Sequence, residues 1–388
     1  MQDLFPLILP DIPRPEEWVP LLDASYKANH FSNSGPLLSS FENRIDELFD
    51  QRRKSLACSN ATAGLQIVLS SLQTQKTKVI IPSFTFAATA NAVISAGFEP
   101  IFVDIDANTS ELDFNLIEEV IQTRNDIAAV MYVRSFGYAN DLTDLNHICE
   151  KYEAPLIVDS ASGFGGRHSD GSLIGHQGIA EVFSFHATKT FSVGEGGLIV
   201  GDKEIMDKVK LASNFGICSD GAIRGKGTNA KMSEFHAAIA HAVLNDFERI
   251  ILTRQNNARS YASILTDLPI KLPKDSQSLA WQFYPIYLNS GNNKGLVEFA
   301  LSKGYLFKAY YSPALHLQRA FIKYDTHGNM NNSVDAANSY VSLPVHRKVN
   351  DQVIEDIYSA IKIFFNKKTN KKQSFIHQTN LTTPLKIN

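Results

Sequence analysis

The sequence predicts an α/β protein with a mostly parallel sheet and a smaller second lobe. Short apolar runs recur between residues 79 and 200, and stretches long enough for helices lie between most of them. Strands that are covered by helices on both faces read as continuous apolar runs, because neither face meets water. The 388 residues are also too many for one small core. A two-lobed α/β architecture follows.

Changes in composition along the chain predict four segments. Residues 1–35 are rich in Pro, Asn and Ser and are predicted to form an irregular N-terminal arm. Residues 36–245 carry the strand and helix alternation of a large domain, and residues 246–365 form a smaller C-terminal α+β domain. Residues 366–388 are dominated by Lys, Asn, Thr and Gln, which predicts a disordered tail.

Periodicity predicts the individual elements. The predicted strands are 79–81, 101–103, 128–133, 156–158, 182–185 and 198–200. The predicted helices are 62–73, 86–96, 112–123, 141–152 and a long one over 233–265. A further helix is predicted to begin near Ser39, because Ser39 and Glu42 match the pattern of a capping box.

Charge and composition exclude several classes of function. A formal net charge of -3 argues against general binding to nucleic acid or to anionic membranes. The three cysteines have no short spacing, so they predict neither a disulfide framework nor a zinc site and favour a reducing cytoplasm. His168 and His186 lack partners at metal-ligand spacing, so no metal is expected. The N-terminus has no basic n-region, and no apolar run approaches the roughly 20 residues that span a bilayer.

Lys189 and Asp159 each follow a predicted buried strand. Alone, the lysine is most simply a solvated surface charge and the aspartate a cap or turn residue. Together, at the carboxyl edge of a sheet where α/β ligand sites form, they match what pyridoxal phosphate requires. The lysine supplies the amine for a Schiff base, and the carboxylate keeps the pyridine nitrogen N1 protonated. Partial desolvation of Lys189 would lower its pKa and favour the imine.

Residues 60–64 (NATAG) open the predicted helix 62–73 and indicate a phosphate site. Free amides at a helix N-terminus bind anions, and Thr62 adds a hydroxyl group. Ser184 is a candidate for a second hydroxyl on the same phosphate, and Phe86 for stacking on a cofactor ring. The ordinary alternatives are a simple N-cap at the helix and a core position for Phe86.

Two glycine patterns are excluded by their context. Residues 194–197 (GEGG) precede a predicted strand instead of opening a helix, so they are not a dinucleotide fingerprint, and the sequence has no P-loop.

These motifs resemble the DegT/DnrJ/StrS family of PLP-dependent sugar aminotransferases over residues 35–346. The most specific part is SFHATK (184–189) followed by GEGG (194–197). Further similar segments are NATA (60–63), PSFTFAAT (82–89), FVDID (102–106) and GTNAKMSE (227–234). Among the subgroups, the chain is most similar to enzymes that aminate C4 of nucleotide-linked 4-keto-6-deoxy sugars.

The resemblance implies the aspartate aminotransferase fold (fold type I) and a homodimer whose active sites lie at the subunit interface. It makes Lys189 the Schiff-base lysine and Asp159 the partner of N1. The other implied cofactor contacts are Thr62, Ala63 and Ser184 at the phosphate, Phe86 on the ring, and Asn229 at the phosphate of the partner subunit's cofactor.

Two departures from the family pattern affect the site. Three residues after the aspartate, the family usually has Gln or His in contact with the cofactor's phenolic oxygen, whereas this chain has Ser162. Residues 310–316 (YYSPALH) also differ from the usual His-Tyr pattern, which leaves Tyr311 and His316 as candidate substrate contacts. Arg224, Lys226 and Lys231 are candidates for the diphosphate of a sugar nucleotide, or else an ordinary charged loop.

The predicted reaction is a two-stage transamination. L-glutamate is the implied amino donor, and the keto group of a nucleotide-linked deoxy sugar is the acceptor, at C4. Lys189 would move the proton in each stage. A branch of the family with histidine in place of the lysine removes a hydroxyl group instead, and Lys189 excludes that pattern. The alternatives are amination of a 3-keto sugar, another fold type I reaction on amino acids, and a PLP-free binding protein.

Overall fold

The computed structural model describes residues 4–274 and 278–379, with side chains as far as residue 367. The helices are α1 (Pro15–Trp18), α2 (Asp23–Ala28), α3 (Pro36–Leu48), α4 (Ala61–Ser70), α5 (Ala87–Ser95), α6 (Phe114–Thr123), α7 (Thr143–Lys151), α8 (Lys203–Ser213), α9 (Glu234–Ile264), α10 (Asn293–Ser302), α11 (Asn331–Ser339) and α12 (Asp351–Thr379). The strands are β1 (Lys54–Cys58), β2 (Lys78–Pro82), β3 (Glu99–Val103), β4 (Ile127–Val133), β5 (Leu156–Asp159), β6 (Ala180–Ser184), β7 (Gly197–Gly201), β8 (Ile270–Lys271), β9 (Tyr284–Leu288), β10 (Thr326–His327) and β11 (Tyr340–Leu343).

An eight-stranded sheet forms the larger layer, in the order β1-β7-β6-β5-β4-β2-β3-β10. The pairs from β6 through β5, β4, β2 and β3 to β10 are all parallel. Strand β7 is antiparallel to both of its neighbours, β1 and β6. The sheet is therefore mostly parallel, as the sequence predicts, with one reversed strand near an edge.

Helices cover the sheet on both faces, which explains the continuous apolar runs. One face packs against α4, α5 and α8, with Ile81, Val182 and Ile199 pointing to that side. The other packs against α3 and α9 at one end, and against α6 and α7 at the other. All six predicted strands and the helices predicted over 62–265 are present, with ends shifted by a few residues.

Two strands of the large sheet were not predicted. Strand β1 has the sequence KSLAC, whose polar first half hides it from a search for apolar runs. Strand β10 has only two residues and joins the sheet by pairing with β3. Neither segment has an apolar run long enough to predict a strand, so both form strands because they pair with neighbours in the folded sheet.

A three-stranded antiparallel sheet, in the order β11-β9-β8, lies in the C-terminal part of the chain. Its core contains the buried side chains of Trp281, Tyr284 and Ile286 together with residues from α9, α10 and α12. Helix α9 reaches from the core of the large sheet into this second core. The smaller α+β layer agrees with the sequence, and the domain boundaries at residues 35, 245 and 365 stay predictions.

Both ends of the chain are more regular than the sequence indicates. The arm is not irregular throughout, because α1 begins at Pro15 and the Glu17 carboxylate accepts a hydrogen bond of 2.9 Å from the Arg14 amide. Helix α12 continues to Thr379, whereas the disordered tail over residues 366–388 stays a prediction. No Gly or Pro interrupts residues 351–379, and Lys and Gln are good helix formers. The rest of that predicted tail, residues 380–388, lies outside the described residues.

Helix α3 is capped by a distant carboxylate instead of by the predicted capping box. It begins at Pro36, three residues before Ser39, and its N-cap residue Gly35 makes no side-chain cap. Glu234, at the start of α9 and fully buried, accepts hydrogen bonds from the amides of Leu37 (2.8 Å) and Leu38 (2.9 Å). Its carboxylate also accepts from the Ser25 hydroxyl at 2.7 Å. A Cβ atom at Gly35 would lie 2.6 Å from Glu234 Cδ, so only glycine admits this carboxylate.

Glu234→Ala should lower the free energy of unfolding by about 3 kcal/mol, because it leaves two helix amides and a hydroxyl group buried without an acceptor. Urea unfolding, followed by circular dichroism, measures the change. Glu248→Ala, an exposed glutamate on the same helix, is the control and should stay within about 0.5 kcal/mol of the parent. Equal stability of the two variants would contradict the capping role.

Among residues 4–274 and 278–379, the structure contains no helix that is both long and apolar enough to cross a lipid bilayer.

Candidate active site

Asp159, Ser184 and Lys189 lie together at the carboxyl edge of the large sheet. Strand β5 ends at Asp159 and its neighbour β6 ends at Ser184. Because β7 runs antiparallel to β6, the turn between these two strands lies at the same edge, and this turn carries Lys189. The spacing of the two residues along the sequence therefore becomes proximity in space.

The amine of Lys189 is held by two uncharged oxygen atoms. Its Nζ donates hydrogen bonds to Ser162 Oγ and to Gln282 Oε1, both at 3.0 Å. The Ser162 hydroxyl in turn donates to Gln282 Oε1 at 2.7 Å. The amine, the hydroxyl group and the amide oxygen are therefore joined pairwise by hydrogen bonds, in a closed triangle.

Burial lowers the pKa of Lys189 from its usual 10.5 to about 8. The negative charge of Asp159 acts in the opposite direction and raises the pKa, but by less than burial lowers it. A substantial fraction of the amine is therefore neutral near physiological pH. A neutral amine is the form that attacks a carbonyl carbon.

The turn that carries Lys189 is anchored on both sides. The rings of Phe185 and Phe191 are buried, with centroids 4.4 Å apart, and both pack against Phe164. The Thr190 hydroxyl donates to the backbone carbonyl of Ala280 at 2.9 Å. Lys189 thus extends from a fixed backbone, as a reactive side chain requires.

Asp159 is a buried carboxylate with a defined orientation, only 5% exposed. The Thr89 hydroxyl donates to its Oδ2 at 2.8 Å, and the Ala161 amide donates to its Oδ1 at 3.2 Å. The Thr85 hydroxyl lies 2.9 Å from that of Thr89 and extends the chain of hydroxyl groups. Burial raises the pKa of Asp159, while the hydrogen bonds and the charge of Lys189 lower it by smaller amounts.

A buried ion pair connects the strands that carry Asp159 and Ser184 to their neighbour β4. Arg134, directly after β4, lies 3.4 Å from Glu181 of β6, and both side chains are fully buried. The Ser160 hydroxyl, directly after Asp159, donates to the same Glu181 carboxylate at 2.6 Å. Three neighbouring strands are therefore tied together just below the site edge.

The N-terminus of α4 forms a cradle next to Ser184. Asn60 caps the helix by accepting from the Ala63 amide at 2.9 Å, whereas the first two amides, of Ala61 and Thr62, have no partner carbonyl within the helix. Gly197 pairs with Ser184 and lies against this first turn, where a Cβ atom would be 2.7 Å from the Ala61 nitrogen. Only glycine allows the strand to approach so closely, and Ser184 is thereby placed beside the helix end.

The rings of Phe86 and Tyr311 lie next to each other at the carboxyl edge of the large sheet. Phe86 directly precedes α5 and is 59% exposed, so its ring is available to a ligand instead of filling the core. The ring centroid of Tyr311 lies 6.4 Å from that of Phe86. Burial and, to a smaller extent, the charge of Asp159 raise the pKa of Tyr311. Tyr311 therefore lies close to the cofactor candidates, as expected of a substrate contact.

His316 reaches the site through Ser83, which follows β2. Its Nδ1 lies 2.6 Å from the buried Ser83 hydroxyl, and its backbone amide donates to the same oxygen at 3.2 Å. These two contacts hold the imidazole against the end of β2. Burial lowers the pKa of His316, which favours the neutral ring.

The remaining candidates lie on an exposed loop, residues 214–231. Arg224 and Lys226 are exposed, and Arg224 pairs with Asp220. Lys231 donates to Asn214 Oδ1 at 2.8 Å. Asn229 is exposed and pairs through its backbone with Asn214. No described contact within one chain joins these four residues to Lys189.

Two site residues carried no sequence signal of their role. Thr89 lies in segment 82–89, which is similar to the family, but its hydrogen bond to Asp159 spans 70 positions of the sequence. Gln282 is 93 positions from Lys189 and follows a tryptophan in an apolar run, which predicts only a strand. Among the described residues, no group of three or more His, Cys, Asp or Glu side chains is arranged to hold a metal ion.

These residues fit pyridoxal phosphate on three independent features. The site offers an amine of lowered pKa at Lys189 and an oriented carboxylate at Asp159. It also has a helix N-terminus that glycine leaves open beside Ser184, with Thr62 and Ala63 in its first turn. Such a set supplies one partner each for an aldehyde, a ring nitrogen and a phosphate.

Comparison with curated proteins gives relatives over nearly the whole chain. The dTDP-4-amino-4,6-dideoxy-D-glucose transaminase of Shigella dysenteriae is 31% identical over 367 residues, which cover 91% of this chain and 97% of that protein. The GDP-perosamine synthase of Vibrio cholerae is 28% identical over 356 residues, which cover 86% of this chain and 92% of that protein.

Solved structures share the fold. A putative PLP-dependent aminotransferase from Bacillus cereus is 28% identical, with a TM-score of 0.88, and the match covers 92% of this chain and 100% of that one. DesI, solved with its TDP-sugar product, is 29% identical with a TM-score of 0.86, and the match covers 97% and 96%. The predicted fold class, that of PLP-dependent aminotransferases of fold type I, is thereby confirmed. The model of the DegT/DnrJ/EryC1/StrS aminotransferase family matches residues 15–362, so the chain belongs to this family and is a PLP-dependent aminotransferase.

Proposed function

We propose that this enzyme transfers an amino group from L-glutamate to the keto group of a nucleotide-linked keto-deoxy sugar, at C4 of the sugar. The observation that carries the proposal is the amine of Lys189, buried at the carboxyl edge of the sheet opposite the oriented carboxylate of Asp159. The amine has the lowered pKa that imine chemistry needs, and the carboxylate has the orientation that a ring nitrogen needs.

The relatives support the sugar class. The Shigella dysenteriae transaminase is named for a dTDP-linked sugar with its amino group at C4, and DesI was solved with a TDP-sugar. Both matches span more than nine tenths of this chain. Amination at C4 is therefore proposed ahead of C3.

Bound pyridoxal phosphate supplies the electron sink that makes transfer of the amino group between two carbons feasible. On the protein side, Asp159 holds a proton at the ring nitrogen, and Thr89 fixes the carboxylate that does so. Thr62 and Ala63, in the first turn of α4, and the Ser184 hydroxyl are the proposed ligands of the phosphate. Phe86 covers one face of the ring, and its exposed side chain is free for that contact.

Lys189 has a second task as the base and acid of the reaction. With its amine free, Lys189 would remove the proton from Cα of the amino donor and would carry it toward the cofactor. In the second half of the cycle it moves a proton in the opposite sense, toward C4 of the sugar. A pKa of about 8 suits both directions, since neither the neutral nor the charged amine is rare near neutral pH.

The proposed active unit is a homodimer with shared sites. Asn229 lies on a loop whose apolar side chains Phe215, Ile217 and Ile223 are 47%, 39% and 71% exposed. A cluster of this kind is typical of a protein interface. Packing against a second copy would bury the cluster and bring Asn229, Arg224 and Lys226 toward the partner's cofactor and the substrate diphosphate.

The first prediction tests the reaction itself. The purified enzyme should lose the visible absorbance of its bound cofactor on addition of L-glutamate, with release of 2-oxoglutarate. One member of a panel of dTDP-, UDP- and GDP-linked 4-keto-6-deoxy sugars should then be aminated, as measured by mass spectrometry and NMR. Lys189→Ala should reduce turnover by roughly 10³-fold or more, because it removes both the Schiff-base amine and the proton carrier.

Lys203→Ala, at an exposed lysine on α8, is the matched control and should keep the parent activity. Turnover by Lys189→Ala at the parent rate would contradict the proposal. Amination at C3, or turnover of amino acids alone, would replace it with one of the alternatives.

The lowered pKa of Lys189 predicts the pH dependence of cofactor capture. Only the neutral amine attacks the aldehyde, so the rate constant for PLP binding to cofactor-free enzyme should rise with pH and level off above about 8. One unit below that value it should be about one tenth of its maximum. Stopped-flow absorbance measures the rate. Asp159→Asn removes the charge that raises the pKa and should move the midpoint lower, whereas a parent midpoint near 10.5 would contradict the burial argument.

Shared sites predict complementation between two defective subunits. Asn229→Ala and Lys189→Ala subunits, each inactive alone, should form mixed dimers on co-expression with two affinity tags. One of the two sites in each mixed dimer then has both residues intact. The unselected mixture from random pairing should regain about one quarter of the parent activity, and mixed dimers purified through both tags about one half. Purified mixed dimers without activity would show that each subunit carries a complete site.

A further inference from the structure

We infer that Gln282 is a positioning residue for the Lys189 amine, and that with Ser162 it replaces the longer side chain usual at position 162 in this family. The inference rests on the role proposed for Lys189. It starts from the triangle in which Ser162 Oγ and Gln282 Oε1 each accept from Lys189 Nζ at 3.0 Å. The serine alone is short, and its hydroxyl hydrogen is already directed to Gln282 at 2.7 Å.

Gln282 is held in place by contacts unrelated to Lys189. Arg254, 3% exposed, donates to the backbone carbonyls of Trp281 at 3.1 Å and Gln282 at 3.4 Å. Asp11 of the N-terminal arm fixes that guanidinium group at 2.8 Å. The Gln282 side chain enters the site from this anchored backbone and is itself buried, at 7% exposure. A preorganised acceptor orients its donor without paying further side-chain entropy when the site is assembled.

The chemistry of an amide suits this position better than a second hydroxyl group. Its carbonyl oxygen accepts from the amine, and its NH₂ group remains a donor for an oxygen atom nearby. The family residue at position 162 contacts the phenolic oxygen of the cofactor, which needs such a donor. Gln282 thus offers both an acceptor for Lys189 and the amide that Ser162 lacks.

The acceptor also affects the balance of charge at Lys189. An oxygen that accepts from the amine favours the ammonium form, in the same sense as the charge of Asp159, the charged group that faces Lys189. Removing this acceptor should lower the pKa of Lys189. Replacing the amide with a carboxylate should raise it by roughly one unit or more.

The test measures the pKa of Lys189 in full-length enzyme reconstituted with pyridoxamine phosphate, in which this amine is free. Competitive acylation over a range of pH, read by peptide mass spectrometry, gives the value for the parent, Gln282→Glu and Gln282→Ala. Gln282→Glu should move the pKa up by roughly one unit and Gln282→Ala down by roughly half a unit. Gln255→Ala is the matched control, since Gln255 bonds to the Leu279 carbonyl at 3.2 Å in the same segment without reaching Lys189. It should leave the pKa unchanged.

The exchange of roles between the two positions is tested by a swap. Ser162→Gln combined with Gln282→Ser should return the pKa of Lys189 to within roughly 0.2 units of the parent value, and should restore PLP affinity. The positioning role is overturned if Gln282→Glu and Gln282→Ala both leave the pKa of Lys189 at the value of the control. The replacement of the family's residue 162 by Gln282 is overturned if the swap variant has the same pKa as Gln282→Ala. Gln282→Glu is nearly isosteric, so a folding defect in the alanine variant leaves the test intact. These outcomes are independent of the proposed function, which fails separately if the parent enzyme does not transaminate.

Discussion

The antiparallel pairing of β7 with β6 is the constraint on which the site depends. Because β7 reverses, the connection from β6 stays at the carboxyl edge of the sheet and places Lys189 there, beside the end of β5. The first residue of β7, Gly197, pairs with both Cys58 and Ser184 and contacts the first turn of α4. One residue without a side chain therefore brings the lysine turn, the serine hydroxyl and the helix N-terminus to a common place.

Burial, together with the groups around Lys189, determines how reactive its amine is. A direct ion pair would keep the lysine charged and unreactive, whereas burial without any partner would cost several kcal/mol in the charged state. The structure lies between these limits, since Ser162 and Gln282 contact the amine and the carboxylate of Asp159 acts on it through its charge. Asp159 is itself occupied by Thr89 and the Ala161 amide, which direct it away from a close pair with the lysine. Burial, opposed in part by the charge of Asp159, gives Lys189 a pKa of about 8.

The sequence predicted most of what local patterns encode. The apolar strands and their alternation with helices followed from periodicity, and Lys189 and Asp159 were identified because each follows a buried strand. The capping of α3 was predicted wrongly, because a local capping box cannot reveal a carboxylate 196 positions away that does the same task. Gln282 and the Arg134–Glu181 brace were missed for the same reason, since their roles exist only after the chain has folded.

The missed residues share one physical character, which explains why they support the site. Glu234, Glu181 and Arg254 are buried charged groups, and a buried ion pair adds little net stability compared with a well-packed apolar core. What each provides is a fixed position, because a buried charge tolerates few arrangements of its partners. Glu181 holds Ser160 next to Asp159, and Arg254 holds the backbone of Gln282 next to Lys189. Since Asp11 in turn holds Arg254, three successive hydrogen bonds connect the N-terminal arm to the amine of Lys189, through Arg254 and Gln282. The geometry of the active site is therefore set by distant segments of the chain as much as by the motif in which Lys189 lies.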